Sequence, residues 1–242
     1  MAQMLIYNKI VALDTVKHKD MKIAPVTDFS FAASANSIPI AAVEFIETSK
    51  EYPITFVKNT QGEFIPTAIM GLQDNQNLFI SEKGNWHANY IPAYIRRYPF
   101  VPSTTNEPDK LNICFDESYK GLNAENGIPL FKEDGSQSPL LEQTVKLIQD
   151  YHARMKQTSE FCTRLAESGI IQEMNAEFGN KDRTKKFRLT GLYVVNEEKL
   201  LQMDDAKVLE FFRKGEFAWI YSHLTSLSNF TRLMDRFFAM QK

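Results

Sequence analysis

The sequence predicts an α+β protein, with a short-stranded antiparallel sheet in the N-terminal half and a long helix, a β-hairpin and terminal helices in the C-terminal half. Short β-branched and aromatic runs, broken by turn residues, recur up to residue 116. From Ser138 to Gly169, apolar residues recur at helical spacing between a capping serine and a stopping glycine. Two alternating runs and a polar turn follow, and the spacing is helical thereafter.

The N-terminal elements follow in order. Met4 to Leu13 reads as an opening β segment, and Asp14 to Asp20 as a polar loop. Pro25 makes an interior strand unfavourable over 21–26. Asp28-Phe29-Ser30-Phe31 alternates, so an extended chain would put both rings on one side, in the core. Pro39 is expected to open a helix to about Glu51, burying Ala42, Val43, Phe45 and Ile46 and turning Glu44, Glu47 and Lys50 outward. Strands are expected at 54–57, 64–70 and 78–80, joined by turns as a meander, with Pro66 interrupting the second. Pro92 opens two helical turns over 92–98 that end at Pro99, and 110–116 is a further strand. Residues 117–138 are a long loop.

In the C-terminal half, Ser138 and Pro139 start a helix that runs to Ser168, with a break admissible near 157–159. Gly169 supplies the left-handed stop. Residues 170–178 and 187–195 form a hairpin across a turn at 179–182. Asn196 to Leu200 begins a short helix, Asp204 caps another through Lys214, and a last helix spans about 217–240. A chain of 242 residues that is 43% hydrophobic can bury a large core, so one domain over 1–242 is expected, with 1–137 and 138–242 as its β-rich and helical subdivisions.

Composition narrows the function classes. A net charge of −2 argues against a non-specific hold on nucleic acid; the one basic cluster, Lys181 to Arg188, reads as a solvated hairpin edge. No window approaches ~18 consecutive apolar residues, and the N-terminus lacks the pattern of a secretory signal. Cys114 and Cys162 sit in apolar contexts, as buried free thiols do in a reducing compartment. The expected location is therefore the cytoplasm, with surface association only by another export route.

The motifs of familiar chemistries are missing. The four histidines show no zinc spacing, so no metal site is expected. His18-Lys19-Asp20 fits an iron motif by spacing alone and lies in a charged loop. No GxxxxGK[ST], GxGxxG or GxSxG occurs, and no cofactor is expected. His223 and Trp219, four apart, read as a packed seam.

One stretch is dense in recognition groups. Trp86 to Pro102 carries aromatics, two adjacent arginines and three prolines. Trp86, His87, Tyr90, Tyr94, Arg96, Arg97 and Tyr98 are the candidate ligand-binding residues. Neighbours on a helix lie ~100° apart, so one arginine is expected to reach inward to carboxylates or carbonyls and the other outward. Packing is the alternative: the tyrosines and prolines wedge the short helix onto the sheet, with one arginine in a buried pair.

Several segments resemble the SapC family: FSFAA at 29–33, EYPITFVK at 51–58, IPAYIRRYPF at 91–100, LNICFDE at 111–117, LFKEDGSQSP at 130–139, GLYVVNEEKL at 191–200 and SHLTSLSNFTRL at 222–233. The resemblance runs from about Tyr7 to Leu233. It implies a link to surface-layer biology and an accessory role, and brings no catalytic residues. The leading expectation is a non-enzymatic accessory or binding protein recognising a peptide, protein or small acidic ligand. An enzyme of unrecognised type using the same cleft, or a surface-layer structural component, are the alternatives.

Overall fold

The computed structural model describes residues 6–104, 111–174, 176–179 and 186–240. It is α+β, and its described strand pairs are antiparallel. β1 (Ile10–Ala12) is the extended part of the opening segment, and Met4 and Leu5 lie outside the described residues. β2 (Lys22–Ile23) is two residues long. Phe29 and Phe31 are not on a strand: Ser30–Ala32 form a turn of 3-10 helix. The Asp28 carboxylate accepts the Ser30 N–H at 2.8 Å, and this local bond turns the chain. Both rings are half-buried against the core.

Pro39 ends a strand, β3 (Ser37–Pro39), instead of opening a helix. The next residue is still held to the sheet, because the Ile40 N–H donates to the Pro66 carbonyl. Helical structure begins at Ala42, first as a 3-10 turn and then as α1 (Phe45–Thr48). The expected stripe divides: Ala42 and Phe45 are buried, whereas Val43 and Ile46 are exposed. Glu44, expected outward, is buried, because its carboxylate accepts the otherwise free Ala41 N–H at 2.9 Å.

β4 (Ile54–Lys58) and β5 (Phe64–Ile69) pair across the 59–62 turn, where Gly62 takes φ 82°. Residues 78–80 are not a strand: the Asn77 side chain takes the Phe79 N–H, leaving one bridge between Ile80 and Trp86. α2 (Ala93–Arg96) is a single turn preceded by Pro92, shorter than expected. β6 (Phe100–Thr104), not foreseen, pairs with β7 (Leu111–Asp116), and β1 completes that sheet. Inside the long loop, β8 (Ile128–Pro129) pairs with β2.

α3 (Pro139–Ser168) is unbroken, with the Ser138 hydroxyl accepting the Leu141 N–H and Gly169 at φ 71°. Thr158 does not break it: its hydroxyl donates to the Arg154 carbonyl at 2.7 Å and accepts the Ala42 N–H at 2.8 Å. The hairpin follows as β9 (Ile171–Glu173), β10 (Ala176–Gly179), β11 (Lys186–Leu189) and β12 (Tyr193–Val195), with turn residues 180–182 outside the described residues. Its outer half joins the N-terminal strands in a five-stranded sheet ordered β3-β5-β4-β12-β9.

Side-chain caps start α4 (Glu197–Leu201) at Asn196 and α5 (Asp205–Arg213) at Asp204. The expected last helix is two, α6 (Phe217–Ser226) and α7 (Asn229–Ala239). At the bend between them the Asn229 side-chain amide donates to the Ser49 carbonyl at 2.7 Å. Phe45, Tyr52, Phe56, Phe79 and Phe161 lead the main core, and a second cluster gathers Ile23, Phe100, Phe115, Leu130 and Leu141. Tyr98 belongs to the first and Phe100 to the second, so the residues after α2 run between them.

Candidate functional site

The start of α2 is pinned by a buried carboxylate. One Glu44 oxygen accepts the Ala93 N–H at 2.8 Å and the Tyr90 hydroxyl at 2.6 Å. Burial, and then the Glu44 charge, push the Tyr90 hydroxyl well above its ordinary pKa. With that end fixed, successive residues project ~100° apart and the two arginines part. Arg96 is exposed, and its Nε donates to the Ile91 carbonyl at 2.9 Å.

Arg97 turns inward and is 7% exposed. Its guanidinium carbon lies 4.3 Å from the ring centre of Tyr94, 4.9 Å from that of Tyr151 and 5.8 Å from that of Tyr7. Its Nε donates to the Tyr7 hydroxyl at 3.1 Å, and that hydroxyl donates to the Phe100 carbonyl at 2.9 Å. Neither terminal nitrogen has a hydrogen-bond acceptor among the described residues. Burial raises the pKa of Tyr7 and Tyr151 well above the ordinary value, against the pull of the Arg97 charge. Both hydroxyls stay neutral, so neither cancels that charge. Glu44 is felt electrostatically at Tyr151 but forms no ion pair with Arg97.

A cleft of about 320 Å³ opens beside the cage, where the two core clusters meet. One wall is Ile91, Ile95 and the run from Arg96 to Phe100. The other is formed by residues 23–26 and Phe29, with Ile128 and the α3 side chains Leu140, Thr144 and Leu147. Thr144 already donates to the Leu140 carbonyl at 2.9 Å. Tyr98 is pushed up to about 12 by burial, with the Asp116 charge adding to the effect. No histidine, cysteine or carboxylate is among the described lining residues. Two more open hollows, of about 470 and 520 Å³, are lined mainly by loop residues such as Lys17, Asp20, Gln73 and Asp74.

The seven candidates therefore separate. Arg96, Arg97 and Tyr98 line the cleft, and Tyr94 forms a wall of the cage. Tyr90 is engaged by Glu44, and the Trp86 indole N–H donates to the Tyr52 hydroxyl at 3.0 Å. His87 is exposed, and its carbonyl accepts from Arg236 on α7 at 3.1 Å. Glu44, Tyr7 and Tyr151 escaped the sequence reading. Tyr151 was within reach: it lies three residues after Ile148 and four before Met155, on the buried stripe of α3. Tyr7 carries no comparable signal.

The other ionisable groups lie elsewhere. His223 is fully buried in the seam between α6 and the sheet; its Nδ1 lies 2.9 Å from the Ile54 carbonyl and its Nε2 accepts the Val195 N–H at 3.1 Å. Burial lowers its pKa to about 4. Burial raises the Cys162 thiol to about 12 and also raises Cys114, which suits inert core thiols. No group of His, Cys, Asp and Glu among the described residues is placed to hold a metal ion.

A family model described as SapC matches residues 13–233. No curated protein and no solved structure matches the chain.

Proposed function

The chain belongs to the SapC family, and from that premise we propose that it is a non-enzymatic binding protein whose ligand, a peptide, a protein segment or a small acidic molecule, seats in the cleft beside α2. Arg97 is the observation that carries this reading. A buried guanidinium is costly unless its donors are used. Here three ring faces offset the charge and leave two terminal nitrogens uncommitted among the described residues, on a residue that lines an apolar cleft. Such a wall, with a few placed polar groups, is how ligand sites are generally built.

The lining favours binding over chemistry. General acid–base catalysis works best with a group that titrates near neutral pH. Tyr98, held near 12, is a poor one, and His223, the histidine with a lowered pKa, is in the α6 seam. We take the chain, 1–242, as one domain, because β12 and β9 complete the sheet begun by β3, β4 and β5. The buried free thiols support a reducing compartment. No described helix is long and apolar enough to cross a membrane.

The test compares what co-purifies with the wild type, with an Arg96→Ala, Arg97→Ala double variant, and with Thr144→Trp, which fills the cleft. Folded variants should lose the molecules that the wild type retains. If all three keep the same set, the cleft is not where binding occurs.

A further inference from the structure

We propose that the cleft is built for one chemical class, a small monocarboxylate with a linear apolar tail, its carboxylate meeting Arg97 and its tail lying along α3. The inference rests on the binding reading above and narrows it. Three features of the geometry support it.

The first is the set of donors left open. Tyr7 takes Nε, so Nη1 and Nη2 remain as a planar pair with no acceptor among the described residues. That pair matches the two oxygens of a carboxylate, and such a bond is stronger than a neutral one. The second is charge. Tyr7 and Tyr151 are neutral, and no described carboxylate pairs with Arg97, so among the described residues its positive charge is uncancelled. One negative charge balances it. Arg96 is tied to the Ile91 carbonyl through Nε at the exposed side, where solvent screens it. The third is the rest of the lining. Ile23, Val26, Ile95, Phe100, Leu140 and Leu147 offer hydrocarbon and no hydrogen-bonding side chain. A polar or branched-polar ligand would lose its water there without replacement. The volume, about 320 Å³, is at the small end for ligand sites and fits a short tail.

Calorimetric titration of the full chain with hexanoate, octanoate and decanoate tests the tail. Affinity should rise about fourfold per methylene until the cleft is filled. Decanol, decyl phosphate and decyltrimethylammonium test the head on the same tail. Decanol should bind at least tenfold more weakly than decanoate, and the cation weakest of all. Arg97→Met should erase the preference for decanoate over decanol, and Arg97→Lys should restore part of it. Equal binding of decanol and decanoate to the wild type overturns the proposal without any variant. So does decanoate binding that is unchanged in Arg97→Met. Tighter binding of decyl phosphate overturns the carboxylate assignment. If no probe binds while Thr144→Trp still loses the molecules held by the wild type, this proposal fails and the broader binding reading stands.

Discussion

Two of the described arginines, Arg164 and Arg97, are drawn toward the interior in opposite ways. Arg164, on α3, meets Glu216 at the start of α6: its Nε donates to one carboxylate oxygen at 3.1 Å and its Nη2 to the other. Glu216 is 2% exposed, so the pair is consumed in joining two helices. Arg97 instead lies among three tyrosine rings, with its Nε bound and its two terminal nitrogens uncommitted among the described residues. A carboxylate cancels the charge and also uses up the donors. Ring faces attract the charge and leave the donors free. Burial alone therefore does not mark an arginine as architecture; what matters is whether its N–H groups are spent. On that criterion the α3–α6 seam is structural, and the cage beside α2 is the place for the proposed recognition.

The largest effect should come from breaking the spent pair. Glu216→Ala takes away the buried partner of Arg164, whose side chain is 17% exposed, and should cost about 3 kcal/mol in urea unfolding, the low end for a buried pair. Replacing both partners, as Arg164→Met with Glu216→Leu, should recover most of that loss, because no unpaired charge remains. A cost below about 1 kcal/mol for Glu216→Ala would place the pair among weak surface bridges and remove the contrast with Arg97.

The next effect depends on pH and separates the seam from the cleft. His223 accepts no proton easily while folded, since burial holds its pKa near 4 against an ordinary 6.5. The unfolded chain takes up that proton first as pH falls. Stability from this residue is therefore complete above pH 6.5 and is lost as pH drops toward 4, by roughly 3 kcal/mol across the interval. Asp116 falls outside this window. Burial pushes its carboxyl up, but hydrogen bonds from Ser118, Asn8 and Lys9 outweigh that and hold it below the usual value, so it acts at lower pH. Unfolding midpoints of the wild type and His223→Gln between pH 7 and 4 check this. The variant should start less stable and show a flatter profile. Parallel profiles would mean that another group drives the acid response.

What the sequence made legible follows the range of each interaction. The N-cap, proline and glycine that bound α3 lie within a turn of the backbone groups they satisfy, and that helix has its expected limits. The caps of α4 and α5 are equally local. The misreadings arise where a distant partner decides. The chain bends after α6, and Asn229 there bonds carbonyls near residue 50. Pro39 is in a strand because β5 lies beside it. Glu44 looked solvent-facing by helical spacing, but the Ala93 N–H and Tyr90 hydroxyl that draw it inward are more than 40 residues away. The candidate site shows the same division. Arg97 and its neighbours stood out in the sequence, whereas two of the three cage rings come from Tyr7 and Tyr151, which only the fold brings there.

The smallest expected effect is also the sharpest probe of the comparison. Arg97→Met removes the buried charge and keeps an unbranched, polarizable chain among the rings. Methionine sulfur packs well on aromatic groups, so much of the contact survives. One hydrogen bond is lost, from Nε to Tyr7, but the Tyr7 hydroxyl keeps its bond to the Phe100 carbonyl and is not left without a partner. The cation–π contacts disappear together with the desolvation they offset. The two changes nearly balance, and the unfolding free energy should move by no more than about 1 kcal/mol. Urea unfolding with an unchanged slope gives the number directly. A loss of 3 kcal/mol or more, matching Glu216→Ala, would make Arg97 a second structural strut and leave no reason to regard its free nitrogens as held open for a ligand.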